Sequence, residues 1–279
     1  IRATWTVTFG HAKRGMLEPA STEFCGRVEV IDIGLERGMP DDAAPYTCQC
    51  LSACEAQELL PRRMRTDHKR SLGHVGIIAG SRGMTGAAVL SAQAALAAGA
   101  GVVTAAIPAA CLELVAPCAP ACMTLSLPDD GSGVLHTAAI ATLTAAMSHF
   151  DALVLGPGLG QATASGDLLA ALLPAITCPV VIDADALNLI AARPTLFDAL
   201  PRLTVMTPHP GEFARLAPGI AVDATVDARV QAARLFVEQH AVTLLLKGFQ
   251  TVIAQADATF ALNLSGNAGM ATAGSGDVL

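Results

Sequence analysis

From residue 73 onward, short apolar runs alternate with stretches of helical composition, and this alternation constrains the fold more than any other feature of the chain. The runs at 74–79, 102–107, 123–127, 152–155, 180–183, 203–206 and 243–247 are too short for helices and rich in Val, Ile, Leu and Ala. Between them, 87–98, 137–147, 168–173 and 226–239 read as helices. Short apolar strands separated by helices predict an α/β fold, a mostly parallel sheet covered on both faces. Residues 251–254 and 259–262, around Gln255-Ala256-Asp257-Ala258, predict a late hairpin.

The region before residue 69 is organised differently. Residues 5–9 and 27–33 have strand composition and are joined by a Gly- and Pro-containing loop. Two strands are too few for a stable domain, so residues 1–34 read as the end of a separate unit whose beginning is absent. Residues 35–68 turn polar, with Pro40, Asp41, Asp42, Pro45 and the basic cluster Arg62-Arg63-Met64-Arg65. They read as a linker with one short helix, leaving 69–279 as the main domain.

Composition narrows the function classes. With 17 basic against 24 acidic residues the net charge is −7, and one Trp and one Tyr offer little for base stacking, so no nucleic-acid partner is expected. Residues 83–112 carry no charged side chain, a length that exceeds the roughly 20 apolar residues of a membrane span. Gln93, Pro108 and the Gly99-Ala100-Gly101 break divide that stretch into a helix and a strand, and no membrane partner is expected. The N-terminus has no charged segment leading into an apolar core, so no signal peptide is expected and the chain reads as cytoplasmic. Cys111, Cys118, Cys122 and Cys178 lie in apolar surroundings and read as buried free thiols. Cys48, Cys50 and Cys54 lack the paired spacing of a zinc knuckle and read as thiols in the linker.

Ligands of open α/β sheets bind outside the carboxyl ends of the strands, and the unusual residues of this chain fall there. Gly80-Ser81-Arg82-Gly83-Met84-Thr85-Gly86 follows the first strand of the main domain, and Gly156-Pro157-Gly158-Leu159-Gly160 follows the fourth. Asp183-Ala184-Asp185, Thr207-Pro208-His209-Pro210-Gly211-Glu212 and Lys247-Gly248 follow later ones. Neither glycine loop fits the P-loop or the G-x-G-x-x-G fingerprint. Near the end, Gly274-Ser275-Gly276 can turn successive amide N–H groups toward one point, a nest for an anion. Asp277 beside it could take the proton of an attacking hydroxyl, or Ser275 or Asp277 could simply cap a helix.

Residues 266–279 begin Gly266-Asn267-Ala268-Gly269-Met270-Ala271-Thr272-Ala273-Gly274-Ser275-Gly276-Asp277 and end at Leu279. This segment resembles the closing signature of the NAD(P)H-hydrate dehydratases, a ribokinase-like family. The Gly80 loop with Gly86-Ala87, Ala98-Gly99-Ala100-Gly101, Gly156-Pro157-Gly158, Asp183-Ala184-Asp185-Ala186-Leu187-Asn188, the Thr207 segment and Lys247-Gly248 agree in order and spacing. The resemblance covers residue 69 to the end. Thr6-Val7-Thr8-Phe9-Gly10 and Lys13-Arg14-Gly15 resemble the last strands of the NAD(P)H-hydrate epimerase domain, which precedes the dehydratase in bifunctional bacterial proteins; the resemblance implies that residues 1–34 end a separate α/β, Rossmann-like domain. Thr4 stands near a position where that family usually has Asp. Most of the epimerase domain and the helices that normally follow the closing loop are absent from the sequence, so a fragment without epimerase activity is expected.

The resemblance implies a lyase that restores NADH and NADPH from (S)-NADHX and (S)-NADPHX. The C6 hydroxyl is phosphorylated by ADP, or alternatively ATP, with Mg²⁺, and phosphate is then eliminated. It implies Asp277 as the base and Gly86, Ala87, Gly158, His209 and Asp277 as contacts of the hydrated dinucleotide. Lys247, Gly248, Phe249, Gln250 and Thr251 would bind the nucleotide together with Gly274, Ser275 and Gly276. Asp185 and Asn188 are candidates for holding an ion or water, with helix capping as the alternative for Asp185; no protein cage for the metal is expected. Family members often form homo-oligomers. Two other readings compete: a small-alcohol kinase of the hydroxyethylthiazole kinase type, which shares the closing loop, and a nucleotide-binding fragment without turnover.

Overall fold

Ten strands form one sheet in the order β3-β12-β11-β10-β9-β8-β7-β4-β5-β6. The structure, a computed structural model, describes residues 1–34, 48–51, 53–257 and 259–279. The chain opens with β1 (Trp5–Phe9), α1 (Arg14–Leu17), α2 (Pro19–Cys25) and β2 (Arg27–Ile31), followed by β3 (Cys48–Leu51) and α3 (Ala53–Leu59). The main body then runs β4 (His74–Ile78), α4 (Thr85–Ala98), β5 (Val102–Pro108), α5 (Leu112–Val115), β6 (Met123–Leu127) and α6 (Ile140–Met147). It continues through β7 (Ala152–Leu155), α7 (Thr163–Leu172), β8 (Val180–Ile182), α8 (Asp185–Ala192), β9 (Thr204–Met206), α9 (Pro210–Leu216) and α10 (Val226–Gln239). The last elements are β10 (Thr243–Leu246), β11 (Val252–Ala254), β12 (Phe260–Asn263) and α11 (Ser275–Val278). No helix among the described residues is long and apolar enough to cross a membrane.

The expected parallel sheet is present. Strands β4 to β10 pair in parallel, β11 and β12 form the expected hairpin, and β11 also pairs antiparallel with β10. Two clusters of buried residues mark the two faces. Ile77 and Ala79 pack with Ala88 and Ala92 of α4 on one, while Ile78, Leu155, Ile182, Met206 and Leu244 join Phe213 and Phe236 on the other. Apolar side chains on both faces are what make these strands read as continuous apolar runs. The uncharged stretch 83–112 resolves into α4 and β5, separated at Gly99, whose φ of +118° and N–H bonds to Ala95 and Leu96 carbonyls end the helix.

Three expectations are corrected. The N-terminal strands are not joined by a loop alone: α1 and α2 intervene, and β1 pairs with β2 in parallel, a geometry that requires a long crossover. Residues 48–51, expected within the linker, form β3 and pair in parallel with β12, so Cys48 and Cys50 lie on a sheet edge. The short helix expected in that region is α3. Of the thiols expected to be buried, Cys111 is, Cys122 and Cys178 are only partly so, and Cys118 is exposed. Pro40, Asp41, Asp42, Pro45 and Ala258 lie outside the described residues.

Candidate active site

The glycine loops meet where β4 and β7 end. Gly80 donates its N–H to the Pro157 carbonyl at 2.8 Å, and Ser81 Oγ donates to the Gly158 carbonyl at 2.8 Å. Gly158 has φ +60°, and a Cβ there would lie 2.7 Å from the Met84 carbonyl oxygen and 2.9 Å from Ala87 Cβ. Only a residue without a side chain lets this loop close onto the first turn of α4. Gly158 and Ala87 are thereby brought together, and Gly86 beside them is exposed.

A charged cluster lies at the ends of β8 and β10. Asp183, 5% exposed, accepts a hydrogen bond from Lys247 Nζ at 2.9 Å. The same ammonium lies 3.6 Å from where a Gly276 Cβ would be, which places it against the closing loop. Helix α11 is seated on α4: Ser91 Oγ donates to the Asp277 carbonyl at 2.9 Å, and Gly274, φ +84°, sits against Leu90. Burial and the charge of Asp183 push the half-buried Asp277 carboxyl above its ordinary pKa, Asp185 adds to the rise, and Lys247 opposes it. An apolar groove of about 460 Å³ adjoins this cluster, between α4, Val154, Val181 and Val205 of the sheet, and Val278.

The segment 247–251 follows β10. The Lys247 N–H donates to the Pro208 carbonyl at 2.9 Å, which ties it to the loop before His209. Gly248 has φ +150° and Gln250 φ +56°, Phe249 is exposed, and Thr251 Oγ1 donates to the Gly248 carbonyl at 3.2 Å.

His209 is the N-cap of α9. Its Nδ1 accepts from the Gly211 N–H at 3.0 Å and the Glu212 N–H at 3.3 Å, while Glu212 accepts from the His209 N–H at 2.8 Å. This is a capping box with imidazole in place of the usual hydroxyl. In the neutral ring the proton then resides on Nε2, on a half-exposed edge 3.5 Å from Glu212 Oε1. Asp185 does not cap its own helix. Its two oxygens accept from the Gly160 N–H and from Gln161 Nε2, each at 2.9 Å, which anchors the second glycine loop. Asn188 accepts from Arg215 Nε at 2.8 Å. Both candidates for an ion are therefore committed to protein partners. Among the described residues no group of three or more His, Cys, Asp or Glu is placed to hold a metal ion.

The structure thus joins Lys247, Gly276 and Asp277 in one cluster and Gly86, Ala87 and Gly158 in another, both built on α4. A family model described as NAD(P)H-hydrate dehydratase matches residues 75–279. The chain belongs to the NAD(P)H-hydrate dehydratase family. It is 42% identical over 279 residues to the bifunctional NAD(P)H-hydrate repair enzyme of Moorella thermoacetica, covering all of this chain and 52% of that one. The corresponding enzyme of Escherichia coli is 33% identical, with all of this chain and 50% of that one covered. The chain spans about half the length of the curated relatives it matches. Among solved structures, the ADP/ATP-dependent NAD(P)H-hydrate dehydratase of Bacillus subtilis, co-crystallized with ATP and Mg²⁺, superposes with a TM-score of 0.67 at 28% identity, covering 83% of this chain and 78% of that one. A ribokinase-like superfamily protein of Enterococcus faecalis gives 0.69 at 25% identity, covering 83% and 76%. The fold of the dehydratase-family chain is ribokinase-like.

Sequence reasoning gave Asp183 no role of its own, although its position at the end of an apolar strand on the ligand-binding rim marked it. The Ser81 and Ser91 anchors had no signal beyond lying in or near that rim.

Proposed function

We propose that the chain carries the nucleotide-dependent dehydration of NADHX and NADPHX to NADH and NADPH, with ADP as phosphoryl donor and ATP as an alternative. The observation that carries this reading is the cluster in which Asp183 holds the Lys247 ammonium against Gly276, beside Asp277. A cation at the closing loop fits a polyanionic phosphate chain, and a half-buried carboxylate with a raised pKa fits the removal of a hydroxyl proton. Asp277 takes the proton of the C6 hydroxyl as the hydroxyl oxygen attacks the terminal phosphorus, and the bond from that phosphorus to the bridging oxygen breaks, releasing AMP from ADP or ADP from ATP. Lys247 and the 274–276 amides stabilise charge on the transferred group. Elimination then breaks the C6–O bond, phosphate leaves with the bonding electrons, and the ring nitrogen supplies its lone pair before proton loss restores the dihydropyridine. Hydroxide would leave poorly; phosphate leaves well.

Gly86, Ala87 and Gly158 form the surface on which the hydrated ring would rest, and His209 Nε2–H is the donor toward it. Residues 247–251 would follow the nucleotide. Mg²⁺ would neutralise phosphate charge; with Asp183 and Asp185 already engaged, it is expected to come with the nucleotide rather than from a protein cage.

The test is recovery of NADH absorbance from chemically prepared hydrate by the purified protein with ADP and Mg²⁺. Recovery that needs the nucleotide and releases one phosphate per NADH supports the reading. Nucleotide-independent recovery, or phosphorylated hydrate that accumulates without NADH, contradicts it; the second result would favour a small-alcohol kinase.

A further inference from the structure

Arg229 is an unusual residue for the first turns of an amphipathic helix. It is 5% exposed, and among the described residues no carboxylate pairs with it. Its guanidinium instead spans the turn after β10. One terminal nitrogen donates to the Phe249 carbonyl, and the other donates to the Leu246 carbonyl at 3.0 Å and the Lys247 carbonyl at 3.5 Å. Its Nε is buried without a partner. A Cβ at Gly248 would lie 2.9 Å from the guanidinium, so that position admits glycine on grounds of space as well as its φ of +150°.

A buried cation satisfied only by carbonyls is costly, and burial pulls the Arg229 pKa down. A methylene-rich side chain would fill the same volume without that cost. What the guanidinium alone provides is a rigid fork that fixes carbonyls three residues apart, together with a full positive charge behind a turn whose front carries Lys247.

On the reading that residues 247–251 bind nucleotide, we infer that Arg229 is a positioning residue that locks the 246–249 backbone in its nucleotide-binding shape and adds positive potential behind the phosphates. It touches no substrate. Its effect reaches the nucleotide through the main chain and through Lys247, whose ammonium depends on that turn to meet Asp183 and Gly276.

The test combines ADP titration calorimetry with KM values for ADP and for NADH hydrate, in wild type, Arg229→Gln and Arg229→Lys. Arg229→Gln removes the charge and the fork, and should raise the KM for ADP by at least about tenfold while changing that for the hydrate less than about twofold. Arg229→Lys restores the charge without the fork and should lie between the two. Should the Gln variant fail to fold, the Lys variant alone decides by the same split between KM values. Equal changes in both KM values, or an unchanged KM for ADP with a lowered melting temperature, would make Arg229 a packing residue and overturn the inference. A wild-type protein that binds no ADP would instead overturn the nucleotide reading itself, before any Arg229 variant is compared.

Discussion

Lys247 Nζ lies 2.9 Å from the Asp183 carboxylate, so one ion pair ties the end of β8 to the end of β10. Both side chains are largely withdrawn from water, and Asp277 stands in the field of the pair. Burial raises the Asp277 pKa most, Asp183 raises it further and Lys247 lowers it. The acid limb of the kcat/KM profile is therefore expected above the ordinary carboxylate range, since the base must be ionised to act. Asp183→Asn removes a raising charge and should move the limb to lower pH. Lys247→Met removes the lowering charge and should move it higher. Shifts in the same direction would show that the limb belongs to another group.

The pair also has a structural consequence. Lys247→Met leaves a buried carboxylate without its partner, which typically costs about 3–5 kcal/mol. Asp183→Asn together with Lys247→Met removes both charges and should recover much of that loss in denaturant titration. No recovery in the double variant would mean that the pair does not hold the two strand ends.

His209 separates capping from recognition. His209→Ala loses the cap and should cost about 1 kcal/mol of stability. His209→Asn keeps an acceptor for the Gly211 and Glu212 N–H groups and should melt near wild type. If Nε2–H meets the hydrated ring, both variants should raise the KM for the hydrate more than that for ADP. A normal hydrate KM in His209→Asn would reduce the histidine to a cap.

Gly86 offers a cleaner probe of the ring-facing surface. A Cβ there meets nothing within 4 Å, and the residue lies in the first turn of α4. Gly86→Ala should therefore leave stability unchanged or raise it by about 0.4–1 kcal/mol. If the hydrated ring rests there, the same variant should raise the KM for the hydrate. Improved stability with unaltered hydrate kinetics would remove Gly86 from the site.

The central strands were legible because each is an apolar run bounded by glycine or polar residues, the pattern of a sheet buried on both faces. β3 was not, since Cys48–Leu51 is four residues in a polar neighbourhood and gains its pairing only from β12. Parallel pairing of β1 and β2 was hidden because α1 and α2 are short and carry no clear periodicity. The rim motifs located the site, since glycine loops and acidic residues after apolar strands gather at the strand ends where open α/β sheets bind ligands. Side-chain commitments were out of reach: Asp185 serves the Gly160 loop, His209 caps α9, and nothing in the 226–239 pattern marks Arg229 for burial. Its burial is decided by the turn packed over it.

The central claim is that Asp277 is the base, and Asp277→Asn tests it most directly. Asn keeps the size and leaves the closing loop, whose helix α11 is capped by Gly274, unchanged, and it removes the carboxylate. The variant should bind ADP, melt near the wild-type temperature and lose turnover of the hydrate by at least about a hundredfold. Turnover within about threefold of wild type, with ADP binding intact, would contradict the assignment.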